Sequence, residues 1–261
     1  MNVKATIAEL IGTFILVFIG TATAVLAGST LLGESGMPIL AIAFAFGFTL
    51  MVLVYTIGPI SGCHINPAVT IAMLIAKKIS VKDAVPYMVA QVIGGILASV
   101  VLRALLTGIQ TYSVGQHGLG ANGIALGDLM TPGSMLGFEI VLTALFLYVI
   151  FNATSSKATP GAAGLAIGGF LFVAHLIGVP LGDSSLNPAR SIGPALLQGG
   201  AAVSELWIFV VGPIVGAVIG ALLYKLTADA DRAGDDGARR RHARPECKRP
   251  AVRTRRLHHA A

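Results

Sequence analysis

Charge is what this sequence has least of. Asp, Glu, Lys and Arg make up 11% of its 261 residues, where a soluble domain carries roughly 25%. With 55% hydrophobic residues and a mean hydropathy of +0.82, the composition excludes a water-soluble globular domain and leaves an integral membrane protein. Cysteine is scarce too. Cys63 and Cys247 offer no disulfide framework. The sequence contains no nucleophile motif, no metal-ligand cluster and no phosphate-binding glycine loop, so nothing points to an enzyme, a metal centre or a cofactor. Apolar/polar alternation is also missing. The apolar runs are continuous, and an isolated sheet edge cannot face lipid, which argues for helices.

The charge that is present is unevenly placed. Residues 226–261 hold ten Lys/Arg against five Asp/Glu, while the other 225 residues hold eight against seven. The isoelectric point of 9.6 therefore belongs mostly to the tail and does not indicate nucleic-acid binding. The sequence reads as a membrane domain over 1–225 followed by a basic, disordered tail over 226–261. The N-terminal apolar run is longer than a signal-peptide core and Glu9 interrupts its beginning, so it is expected to stay as the first membrane helix.

Six segments are long enough to cross a core of about 30 Å, which needs roughly 20 residues each. They lie near 6–28, 39–59, 84–106, 134–153, 162–181 and 203–225. Lys77, Lys78 and Lys82 follow the second and Lys157 the fourth, while 29–38 and 107–133 hold no Lys or Arg. The positive-inside rule then puts both termini in the cytoplasm. Arg190 is the exception, in a loop that should face out.

Two apolar pieces, 67–76 and 188–198, are too short to span. Each begins at Asn-Pro-Ala, in "SGCHINPAVT" and "SSLNPARS". Short, proline-marked segments at matching places in two halves point to an inverted repeat with a midplane site. The halves run over about 5–106 and 134–225. Glu9 matches Glu139, and Gly47 and Gly168 both stand 19 residues before their Asn. Three spans per half invert the second half, so the two short pieces enter from opposite sides.

Asn-Pro-Ala has a physical meaning. Asn is a strong N-cap, Pro is favoured at N1, and Ala has the best helix propensity. Asn66 with Pro67 and Ala68, and Asn187 with Pro188 and Ala189, are each expected to start a half-helix. Two such ends meeting at mid-bilayer bring their positive dipole ends together. Both amides can then donate to one water there and interrupt proton relay, while the dipoles oppose cations.

These two loops, with "AELIGTF" in the first helix and "AHLIGVP" in the fifth, resemble those of the major intrinsic proteins, the aquaporin family. The resemblance covers about residues 5–225 and leaves the tail unassigned. It implies an all-α fold of six transmembrane helices and two re-entrant half-helices. It also implies an outer selectivity filter of Phe46, His175, Ser184 and Arg190. Arg190 would cost roughly 2.5–3.5 kcal/mol on a lipid face, which favours a wet pore. Glycerol facilitators of the family carry wider, greasier residues at the first three positions and Asp after the second Asn-Pro-Ala-Arg. Here Ser191 follows Arg190, so the pattern implies a water-selective member, with a glycerol or small-solute facilitator as the alternative. Ser184 departs from the usual Thr or Cys.

The resemblance further implies that Glu9 and Glu139 accept hydrogen bonds from the two loops. It implies water as permeant, the lipid bilayer as surroundings, a homotetramer in a cell membrane, and no cofactor. His64 is expected either to line the inner vestibule or to brace loop 61–66, and His117 to be exposed. Gly94, Gly95 and Ala98, and Gly212, Gly216 and Gly220, form small-residue stripes for close helix packing. Cys63, three residues before Asn66, is the expected target of any mercurial block.

Overall fold

The computed structural model describes residues 2–28, 38–125 and 130–242, with side chains of the last helix through residue 228. By its internal contacts the chain divides into a unit Met1–Lys225 and a second, Leu226–Ala261. Ten helices and no strand occur among the described residues. They are α1 (Val3–Gly28), α2 (Pro38–Ser61), α3 (Pro67–Ile75), α4 (Val81–Leu106), α5 (Val114–His117), α6 (Pro132–Ala153), α7 (Ala163–Gly182), α8 (Pro188–Gln198), α9 (Ala201–Ser204) and α10 (Ile208–His242).

Six spans are long and apolar enough to cross a membrane, the sixth being Ala201–Ala228 over α9 and the first part of α10, and their ends fall within three residues of the expected ones. The short α3 and α8 are the two expected half-helices. A spanning helix must satisfy its own backbone and polar side chains. Thr13 and Thr21 on α1 do so by donating to the carbonyls of Glu9 and Val17, at 2.8 and 2.7 Å.

The two halves meet along α2 and α7. A Cβ at Gly47 would lie 2.7 Å from the Gly168 carbonyl oxygen, and one at Gly168 would lie 2.5 Å from that of Gly47. The backbones can approach this closely only because neither residue has a side chain. The matching spacing of these glycines from their Asn is thus a packing relation across the repeat axis. The other stripes also pack internally. Gly94 abuts the Leu10 carbonyl on α1, while Gly216 and Gly220 abut the Ile140 and Ala144 carbonyls on α6.

Residues 226–242 are helical, and Ala and Arg, both strong helix formers, are frequent there. Residues 243–261, with Cys247, lie outside the described residues. His117 is half-buried, its ring stacked on Tyr112 at 5.8 Å, rather than exposed.

Candidate pore

The half-helices begin as the sequence dictates. Asn66 Oδ1 accepts from Ala68 N at 2.8 Å, and Asn187 Oδ1 accepts from Ala189 N at 3.0 Å. Proline occupies N1 in both. The residue before each Asn is left-handed, Ile65 at φ 41° and Leu186 at φ 53°. Such backbone costs on the order of 1–3 kcal/mol per residue, most for β-branched Ile65. What it achieves is visible in the hydrogen bonds. Asn66 Nδ2 donates to Leu186 O at 2.7 Å and Asn187 Nδ2 to Ile65 O at 3.0 Å. Each loop turns a carbonyl toward the other's Asn, and the two helix ends are joined.

Buried carboxylates hold these turns. Glu9 accepts from Ser61 Oγ at 2.6 Å and His64 N at 2.9 Å on one oxygen, and from Ile65 N at 2.5 Å and Gln91 Nε2 at 2.7 Å on the other. Glu139 accepts from Ser184 Oγ at 3.0 Å, Ser185 N at 2.7 Å and Leu186 N at 2.9 Å. Both carboxylates are fully buried, where only such donors offset the loss of water.

Between the loops lies a cavity bordered by Phe46, His64, Asn66, His175, Asn187 and Arg190 among others. Phe46 and His175 stack with ring centroids 4.6 Å apart, and the Arg190 guanidinium carbon sits 5.0 Å from the Phe46 ring centre. Three of the four expected filter residues are therefore together. Ser184 is not among the residues lining this cavity. It is fully buried and its hydroxyl donates to Glu139 instead, because the short, carboxylate-braced turn points it inward. His64 has its backbone N–H on Glu9 and borders both the central cavity and a second one that Cys63 also lines.

The polar edges of the constriction follow from what is already bonded. His175 Nδ1 lies 2.9 Å from the Leu171 carbonyl, so in the neutral ring the proton sits on Nδ1 and Nε2 is an acceptor. Nε2 is buried without a protein partner, as is Nε of Arg190. The rest of the guanidinium is occupied. Nη1 donates to Gly120 O at 2.7 Å and Asn122 Oδ1 at 3.0 Å, and Nη2 is ion-paired with Asp183. Sequence reasoning missed Asp183, Asn122, Ser185 and Gln91.

The major intrinsic protein family model matches residues 1–224. Aquaporin Z of Brucella melitensis biotype 1 is 45% identical over 222 residues, covering 84% of this chain and 95% of that protein. Aquaporin Z of Rhodopseudomonas palustris is 38% identical over 245 residues, covering 92% and 100%. Among solved structures, the aquaglyceroporin from Plasmodium falciparum shares the fold at a TM-score of 0.75 and 22% identity, covering 90% of this chain and 99% of that one. The chain belongs to the major intrinsic protein family. It is a multi-pass membrane channel for water or small solutes.

Proposed function

We propose that the protein is a passive, water-selective pore. The stacked Phe46–His175 pair with Arg190 beside it carries this reading. Together they form a narrow aperture with one apolar wall and two free polar atoms, the Arg190 Nε donor and the His175 Nε2 acceptor. Water can use both. Glycerol needs more width and more partners for its three hydroxyls, and would lose its own hydration uncompensated. The names of the relatives at 38–45% identity support the same reading.

Below the aperture, each Asn amide spends one N–H on the opposite loop and borders the cavity. Its second N–H is available to a passing water. A water that accepts from both Asn66 and Asn187 has its own hydrogens directed outward, up and down the file, so no hydrogen-bond chain of one polarity crosses the midplane. The half-helix ends, each equivalent to roughly +0.5 charge, add a barrier to hydronium and other cations. In this reading Glu9 and Glu139 are supports of the loops and do not relay protons. Both termini lie in the cytoplasm of a cell membrane and the channel assembles as a homotetramer, with one pore per chain.

The test is His175→Gly. Opening that side of the aperture should admit glycerol at a rate at least tenfold above wild type while water flux persists. A wild type that already passes glycerol as fast as the variant would favour the facilitator reading.

A further inference from the structure

Asp183 stands outside the Asn-Pro-Ala loops, yet it touches a buried charge that borders the pore. Arg190 is 1% exposed, and its Nη2 is ion-paired with Asp183 Oδ2. Nη1 is held separately by Gly120 O and Asn122 Oδ1. Asn122 returns its own Nδ2 to the main-chain carbonyl of Asp183. Asp183 itself closes α7 in a left-handed conformation, φ 59° and ψ 54°, one that Asp tolerates better than most residues. The main chain of this turn is tied down further, Gly123 N donating to Gly182 O at 3.1 Å and Ala125 N to Leu181 O at 3.1 Å. The carboxylate is thus mounted on a fixed turn and directed at one nitrogen of the guanidinium.

We propose that Asp183 is a positioning residue of the outer constriction, which holds Arg190 Nη2 against the wall so that the guanidinium presents only its Nε edge to the permeant. This deepens the water-channel reading and rests on it. A buried guanidinium stripped of its carboxylate is an uncompensated charge, and it moves to whatever water it can reach. One space it can reach is the cavity it already lines beside Phe46 and His175. Turning into that space narrows the aperture. The ion pair also cancels most of the Arg190 charge at a distance, so cation rejection rests chiefly on the facing ends of α3 and α8.

Purified full-length channel in proteoliposomes tests this through the temperature dependence of its water permeability above bare lipid. That slope does not depend on how many channels are active, so loss of folded protein does not move it. Asp183→Asn keeps the size and tolerates the left-handed backbone. It should lower water permeability at least fivefold and make its temperature dependence markedly steeper, and Asp183→Glu should recover the wild-type slope. In an Arg190→Ala background, Asp183→Asn should have no further effect, since the role is exerted through Arg190. Should Asp183→Asn yield no protein, Asp183→Gly suits the same backbone and is measured in its place. A wild-type slope in the variant, or an equal further loss in the Arg190→Ala background, would overturn the proposal. Wild-type vesicles no more water-permeable than bare lipid would instead defeat the water reading, and the same comparisons made on glycerol flux would then decide the role of Asp183.

Discussion

Asn66 and Asn187 secure each other's loops. The Asn66 amide donates to the carbonyl just ahead of Asn187, and the Asn187 amide donates to the carbonyl just ahead of Asn66. Each Asn is therefore both the cap of its own half-helix and a tie to the other. The strained residues Ile65 and Leu186 lie at the two crossing points, and each has its N–H on a buried carboxylate and its C=O on the opposite amide.

Asn187→Asp separates these two duties. Aspartate still caps α8 but has no N–H for Ile65 O, which becomes a buried unsatisfied acceptor. The expected cost is about 1–3 kcal/mol, seen as a lower thermal unfolding temperature of the detergent-solubilised protein. A carboxylate facing two helix N-termini also removes the barrier to cations. Water flux should fall at least tenfold, and a proton leak should appear with a pH-sensitive dye trapped in the vesicles. Unchanged flux would show that Asn187 does not border the conducting path.

Glu139→Gln tests the loop support. Glu139 receives Ser184 Oγ, Ser185 N and Leu186 N over its two oxygens. An amide in the same place turns an NH₂ toward a donor on one side or the other. The expected loss is about 1–3 kcal/mol, with water flux reduced. Glu9→Gln is predicted to cost a similar amount, since each Glu9 oxygen also accepts a main-chain N–H, that of His64 on one and that of Ile65 on the other. Thermal unfolding of the two variants side by side gives the comparison, and a wild-type unfolding temperature in either would contradict it.

Gly95→Ala tests the fit of the second half-helix. A Cβ at Gly95 would collide with the carbonyl oxygen of Ala189, and one at Gly193 with that of Gly95. Both neighbours are backbone and cannot swing aside. Overpacking of this kind costs about 1–3 kcal/mol, and because Ala189 precedes Arg190 the displacement should reach the filter. The prediction is a lower unfolding temperature together with reduced water permeability per folded channel. Wild-type values for both would show that α4 and α8 have slack between them.

Cys63 lines the second cavity with His64 and Met73. A mercurial reaching that cavity should block flux, and Cys63→Ser should abolish the block while leaving folding intact. Block that survives the substitution would place the reactive group elsewhere.

The spans and half-helices were legible because a membrane imposes a length on each apolar run and because Asn-Pro-Ala caps a helix by local chemistry alone. Phe46, His175 and Arg190 came together because the repeat brings α2, α7 and α8 to one point. What surrounds Arg190 was not legible. Asn122 is 68 residues from it and reaches it through an irregular loop, where no periodicity predicts which atoms meet. Asp183 is seven residues away, but its direction depends on a left-handed turn at the end of α7. Ser184 was placed in the filter by its distance from Asn187, yet the same distance puts its hydroxyl within reach of Glu139, and the buried carboxylate claims it.

The most direct measurement of the central claim is stopped-flow light scattering on proteoliposomes, with a sucrose gradient first and a glycerol gradient second. A water-selective pore predicts shrinkage at least tenfold faster than bare lipid under sucrose and no rapid re-swelling under glycerol. Rapid re-swelling with glycerol would contradict the selectivity assigned to Phe46, His175 and Arg190, and shrinkage no faster than bare lipid would contradict the water pore itself.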